Sequence, residues 1–288
     1  MLARYALLIC ALMMLPSCLP EIVDDDTVPN FNAENTVMGV IQDEGVLRIA
    51  VEDDRAPWSD FTDDGEPAGF NVDLGRLIAR SLGVEAEFVP GTPDEMDRLL
   101  NGEDIDVAFP LTPITEERVS VHAYADPYWT GHQRLLVPED SEIEQMTDLA
   151  GATVCSVVDA GTGAPALDLN PDIGDLIDSS DPLGCVEPMR SGAADAIIGP
   201  DVLLIAHMEA LGEGYRIAGD QLTTEGYGPA VGVGLGGFTA FIDGVFSEAD
   251  REGVWREYYD QWIAPLTGVE MEFPRMTTED AAALYPVG

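Results

Sequence analysis

Along the chain, short continuous apolar runs alternate with stretches whose apolar positions recur at helical spacing. VLRIAV, Val46 to Val51, reads as a buried strand, with Glu52, Asp53, Asp54 and Arg55 crowding its carboxyl end. A turn at Asp64-Gly65 follows. Val72, Leu74, Leu77, Ile78 and Leu82 then fit one face of a helix over Asn71 to Leu82, with Asp73 in the first turn and Gly83 as its stop. Val84 to Val89 predicts a second strand, Asp94 to Asn101 a short helix closed by Gly102, and Ile105 to Phe109 a third strand. Strand-helix-strand-helix-strand order predicts a parallel sheet with helices on its faces. Ligands of such sheets sit beyond the carboxyl ends of the strands, where Glu52, Arg55 and Thr112 to Arg118 fall.

The stretch Asp106 to Val137 is the pivot of the pattern. It leaves the third strand through a Pro- and Thr-bearing loop that delivers Arg118, then crosses through ADPYWTG into a new apolar run. After Gly131 the alternation restarts. Gln133 to Val137 predicts a strand, Met146 to Gly151 a short helix, and Ala152 to Val157 a strand. That strand runs into Asp159-Ala-Gly-Thr-Gly and a helical stretch near Ala164. Cys185 to Gly192 predicts a helix, Asp195 to Ile198 a strand, and Asp201 the cap of a helix through Ala210. After Tyr227 come an apolar run, Ala230 to Leu235, and helices over Phe238 to Ala249 and Gly253 to Ile263. The pattern predicts two α/β lobes. Residues 44–131 with 228–263 form the first, and 132–227, inserted in it, the second.

Composition narrows the function classes. The chain has 288 residues and a formal charge of −41, and its 13 basic residues are all arginine. Such an acid-rich surface repels phosphate backbones, which argues against nucleic acid, and it offers no docking face for anionic lipid. Arg4 followed by the apolar run Tyr5 to Leu15 reads as an export signal, too short to span a bilayer. Residues 1–18 read as a lipoprotein signal with its lipobox cysteine: the run ends at LPSC, which resembles the lipobox of bacterial lipoproteins and implies cleavage that leaves a lipid-modified Cys18 at the new N-terminus. The alternative is an ordinary signal cut a few residues later. Residues 19–43 are acidic and weakly periodic, as expected of a tether. Cys10 leaves with the signal and Cys18 carries lipid, so Cys155 and Cys185 remain to pair in an oxidising compartment. His122, His132 and His207 show no ligand spacing, so neither a metal nor another cofactor is expected.

Five segments in order, GVLRIAVEDDRAPW, AGFNVDLGRLIARSLGV, NGEDIDVAFPLTPITEERV, YADPYWTGHQRLLV and GVWREYYDQW, together resemble the family 3 extracellular solute-binding proteins over about residues 44–263. CSV…GCVEPMRSGAADAII, with its cysteine pair, looks like the glutamate-binding lipoproteins of actinobacteria. The resemblance implies a two-lobed periplasmic-binding-protein fold of type II: a monomeric, hinged receptor that closes on one amino acid and presents it to the permease subunits of an ABC importer at the outer face of the cell membrane. Arg118 falls in the family's T-x-E-R position, whose arginine grips the ligand α-carboxylate, a role suited to a planar fork of donors. The plain alternative is a surface arginine paired with Glu116 or Glu117. Gly161-Thr162-Gly163 follows a strand and opens a helix, so its N–H groups fit the same carboxylate from the other lobe.

For the ligand ammonium the resemblance implies an acidic residue after DAII. Pro200 or Asp201 stands there; the proline cannot serve, which leaves Asp201, otherwise a helix cap, with Glu52 as second choice. The hydroxyl expected before I-T-x-E-R is replaced by Pro113, with Thr112 adjacent. Arg55 stands where many members stack an aromatic, with Trp58 close by. An arginine there suits a side-chain carboxylate, glutamate above all, or else a salt bridge to Asp53 or Asp54. Tyr128, Trp129, Tyr258, Tyr259 and Trp262 read as hinge and helix packing. A secreted enzyme on the same scaffold, of the cyclohexadienyl dehydratase kind, is the alternative class; it needs a positioned acid or base, and no motif marks one. Residues 264–288 outrun the family's usual end, and Thr277 onward suggests a short capped helix.

Overall fold

The computed structural model describes residues 31, 36–157, 172–179, 183–268 and 270–284. The first element is a helix, α1 (Val37–Glu44), started by the Thr36 side chain and ended by Gly45. Met38 and Ile41 are buried in the main core. This corrects the tether expected through residue 43. Two apolar side chains one turn apart are enough to dock VMGVIQDE against the sheet despite its acidic end.

β1 (Val46–Val51), a small hairpin of β2 (Asp60–Phe61) and β3 (Pro67–Ala68), α2 (Phe70–Leu82), β4 (Glu85–Pro90), α3 (Pro93–Asn101) and β5 (Val107–Phe109) follow. β1 pairs in parallel with β4 on one side and β5 on the other. The expected unit is thus observed, its ends shifted by one or two residues. α2 starts under Gly69, where an added Cβ would lie 2.4 Å from the Trp58 carbonyl oxygen, so only glycine fits. α4 (Glu116–Val119), β6 (Ala123–Tyr124), β7 (Trp129–Gly131) and β8 (Gln133–Pro138) lead into the second lobe.

Met146–Leu149 is a 3-10 turn rather than an α-helix, and it precedes β9 (Thr153–Val157), β10 (Asp175–Ser179), α5 (Val186–Ser191), β11 (Ala196–Pro200), α6 (Asp201–Leu211) and β12 (Tyr215–Ala218). The chain returns through β13 (Glu225–Tyr227) to β14 (Ala230–Val231), α7 (Gly236–Glu252), α8 (Val254–Trp262), α9 (Ala264–Thr267) and α10 (Thr278–Leu284). Only the first two residues of the apolar run 230–235 form a strand.

Two five-stranded sheets result, ordered β4-β1-β5-β14-β6 and β10-β9-β11-β8-β12. They are the sheets of two lobes, joined where β7 and β13 cross side by side as an antiparallel pair. Lobe 1 is built on an aromatic core in which Trp58, Phe70, Tyr128, Trp129, Trp255 and Tyr259 are all buried. α6 is buried all round from Asp201 to Met208, and the packing explains it. Val202, Leu203, Ile205 and Ala206 join the core of lobe 1, while Leu204 and Met208 sit in the core of lobe 2. The segment after residue 264 is integral to the fold. Ala281 and Ala282 pack with Ala108, Ile114 and Tyr124, and Thr277 and Asp280 cap α10 reciprocally.

Cys155 and Cys185 form a disulfide with a Cα–Cα distance of 5.8 Å, both fully buried, tying β9 to the start of α5. Closing a loop of roughly 30 residues constrains the unfolded chain by about 3–4 kcal/mol. Replacing both cysteines by alanine is expected to lower unfolding free energy by that amount, measured by denaturant melts of the oxidised protein and the variant.

Candidate functional site

The carboxyl ends of β1 and β5 bring together most of the lobe 1 residues singled out in the sequence. Glu52, immediately after β1, is buried, and its Oε1 accepts the backbone N–H of Leu111 at 2.8 Å. Its other oxygen lies 3.3 Å from Arg55 Nε, off-line for a hydrogen bond, so charge holds the pair. Burial pushes the Glu52 carboxyl up, against the Leu111 N–H and the charges of Arg55 and Arg118. Arg55 also donates to the Asp54 carbonyl at 2.8 Å. Its ion pair is therefore with Glu52, not with the Asp53 or Asp54 carboxylates.

β5 ends in Phe109, and the loop after it carries Thr112 and Pro113. Thr112 Oγ1 is buried without a hydrogen-bond partner among the described residues. Ile114 donates its N–H to the Gly226 carbonyl at 2.8 Å, which fastens this loop to the crossing strand β13. Thr115 caps α4 by accepting the Arg118 backbone N–H at 3.2 Å. The Arg118 side chain is half-buried, and no carboxylate of the described residues lies within ion-pair distance of it. Its charge is felt at Glu52 and at the Tyr124 phenol, which burial pushes up and Arg118 holds back.

From lobe 2, Gly161, Thr162 and Gly163 lie outside the described residues, as does Cys18. Asp201 is the first residue of α6 and does not cap it; the cap position is Pro200, which makes no side-chain bond. The Asp201 carboxylate turns instead to the lobe crossing. It accepts His132 N–H at 3.1 Å and Trp129 Nε1 at 3.4 Å. Gly131 makes room for it, since a Cβ there would lie 2.8 Å from Asp201 Oδ1 and 2.7 Å from the Tyr227 ring. Burial pushes Asp201 up to about 7, helped by the nearby Glu225 charge and opposed by Trp129, His132 and Arg134.

Sequence reasoning missed Glu225. This buried carboxylate in β13 accepts Gln133 Nε2 at 2.8 Å, Thr223 Oγ1 at 2.8 Å and Tyr227 OH at 2.6 Å. It knits the second crossing strand to the start of β8. An acid in TTEGY carries no local signal, because its Gln133 partner lies in a distant part of the chain.

Trp58 is fully buried, edge-on to Trp129 with ring centroids 4.8 Å apart. Its Nε1 donates to the Val202 carbonyl of lobe 2 at 2.6 Å. The other aromatics pack as expected. Tyr128, Trp129 and Tyr259 belong to the core, Tyr258 OH accepts from Arg80 at 2.8 Å, and Trp262 Nε1 donates to Asp73 at 2.7 Å. Lobe 1 thus supplies an arginine without an ion pair, a buried hydroxyl and a buried charge pair at the strand ends, while the crossing beneath is held by two buried acids.

Comparison with known proteins places this geometry. Residues 47–265 match the bacterial extracellular solute-binding proteins, family 3. The glutamine-binding protein GlnH of the Bacillus subtilis (strain 168) ABC transporter is 27% identical over 202 residues, 69% of this chain and 74% of its own. The L-cystine-binding protein TcyJ of Escherichia coli (strain K12) is 24% identical over 234 residues, 80% of this chain and 87% of its own. Among solved structures, an ancestral amino acid-binding protein described as a precursor of cyclohexadienyl dehydratase superposes with a TM-score of 0.66. It shares 24% identity and covers 79% of this chain and 99% of its own.

Proposed function

The chain belongs to the bacterial extracellular solute-binding proteins of family 3, and from that premise we propose that it is the receptor of an ABC importer for an acidic or polar amino acid, glutamate first. Arg118 takes the ligand α-carboxylate, Thr112 Oγ1 supplies a hydroxyl beside it, and Gly161 to Gly163 close on the ligand from lobe 2. Glu52 receives the ammonium. Its second oxygen meets only the off-line Arg55, whereas both oxygens of Asp201 serve the crossing. Cys18, lipid-modified, anchors the receptor beside its permease.

One observation carries the reading. In a chain with 54 acidic residues and 13 arginines, Arg118 sits at a strand end with no acidic partner among the described residues. A half-buried guanidinium gains most from an anion that two parallel bonds can hold, and a carboxylate has that shape. Arg55 and Arg118 both act as positive charges on Glu52; with Arg118 given to the α-carboxylate, Arg55 is the guanidinium that remains for a carboxylate side chain. The loop bearing Arg118 is bonded to β13, so ligand capture acts directly on the crossing strands. Ligand stabilises closure by its differential affinity for the closed state. Binding, not turnover, is the activity in the names of both curated relatives above.

Thermal unfolding of the disulfide-intact protein against all twenty amino acids tests this. Ligand at 100 times Kd adds about 2.7 kcal/mol of stability, a visible rise in midpoint. The largest rise is expected with L-glutamate or L-aspartate. A largest rise with glutamine, cystine, histidine or arginine removes the acidic preference and leaves the class. No rise with any of them refutes the receptor reading.

A further inference from the structure

We propose that Trp58 is the latch of lobe closure, a positioning residue whose indole N–H joins lobe 1 to the first turn of α6 in lobe 2. This rests on the receptor reading but concerns no ligand contact. Trp58 belongs to the loop after β1 that also carries Glu52 and Arg55, so it moves with the ligand-facing side of lobe 1. Its backbone is fixed there. The Trp58 carbonyl accepts Asn71 N–H at 2.8 Å, the Pro57 carbonyl accepts Phe70 N–H at 2.9 Å, and Gly69 lets α2 approach so closely. The side chain then crosses to the other lobe and donates to Val202 O at 2.6 Å, with no part of it exposed.

Two features make the bond suited to a latch. The Val202 carbonyl lies inside α6, where one lone pair serves the helix and the second is free for the indole, so breaking the contact leaves the carbonyl satisfied. The indole N–H, by contrast, needs a partner whenever it is buried, and on opening water supplies one. The neighbouring Asp201 takes a second indole, that of Trp129, which stands edge-on to Trp58. One turn of α6 is therefore held by a tryptophan from lobe 1 and another from the crossing strand. Closing the cleft and seating Trp58 are then a single event.

The chain has four tryptophans, so indole hydrogen exchange in the full-length protein labelled with 15N-tryptophan resolves each. Trp255 is the internal control. It is equally buried, and its Nε1 bonds to Tyr128 O at 3.1 Å within lobe 1. In ligand-free protein the Trp58 N–H is expected to exchange faster than that of Trp255, through lobe opening. Adding L-glutamate, L-glutamine, L-histidine, L-arginine or L-cystine, whichever raises the unfolding midpoint, is expected to slow Trp58 toward the rate of Trp255. Trp58→Phe should lower the ligand-free midpoint somewhat, as truncating a fully buried ring does, and keep the ranking of amino acids, while the dissociation rate rises about tenfold at unchanged association rate. Equal exchange of Trp58 and Trp255 under both conditions overturns the latch, as does a W58F variant with an unchanged dissociation rate. Fast Trp58 exchange that no amino acid slows leaves the latch standing and counts against the receptor reading instead.

Discussion

Replacing Arg118 by alanine is expected to weaken amino-acid binding by about 30-fold to several thousand-fold, the 2–5 kcal/mol typical of truncating one partner of a desolvated, hydrogen-bonded charge pair. The fold should not suffer comparably. In the ligand-free protein Arg118 has no ion pair to lose among the described residues, and the cap of α4 is made by its backbone N–H rather than by its side chain. Removing the guanidinium also withdraws the positive charge felt at Glu52, whose carboxyl then rises further. Titration calorimetry and a denaturant melt of the same variant separate the two effects. Loss of affinity with an unchanged melt is the expected pair of results. An unchanged affinity removes Arg118 from the site, and a collapsed melt shows a structural role.

Stability should fall as pH rises from about 4 through 7 because of Asp201. In the unfolded chain its carboxyl titrates near 3.8, whereas in the fold burial pushes it up to about 7. A raised carboxyl binds its proton more tightly when folded, so the advantage is complete below the unfolded value and lost as the folded group ionises. Three pK units correspond to about 4 kcal/mol between those limits. With 54 acidic residues in the chain, the effect is read as a difference against Asp201→Asn. The amide offers one acceptor to two donors, His132 N–H and Trp129 Nε1, which costs the variant the same at every pH. Relative to wild type, the variant should therefore gain stability steadily between pH 4 and 8. A difference that does not move with pH shows that Asp201 ionises normally in the fold.

The first lobe was legible because its code is local. Buried parallel strands are continuous apolar runs, and α2 repeats its apolar positions at helical spacing, so both are visible within a dozen residues. β10 was invisible because its sequence, DLIDS, is that of a half-exposed edge strand whose stability comes from pairing with β9. α1 reads as tether because its few apolar side chains matter only once Met38 and Ile41 meet the core.

The site divides the same way. Arg118 was found through its motif, and the loop that delivers it is built from neighbours in sequence. The hinge chemistry was misread or missed wherever the partner is remote. Asp201 reads as an ammonium partner or a cap until Trp129 and His132 arrive from the crossing strand, and Trp58, read only as lying close to the ligand, gives its N–H to Val202. Arg55 reads as a partner for a ligand carboxylate or for Asp53 or Asp54, and the backbone turn after β1 pairs it with Glu52.

The most direct test is a calorimetric titration of wild-type protein and Arg118→Ala with the amino acid that most raises the unfolding midpoint, and with its α-carboxamide, for L-glutamate isoglutamine. The amide keeps size and side chain but removes the charge that Arg118 is placed to hold. It should bind wild type at least about 30-fold more weakly than the acid, and the gap between the two should shrink in the variant. An α-carboxamide that binds wild type as tightly as the free acid contradicts the account.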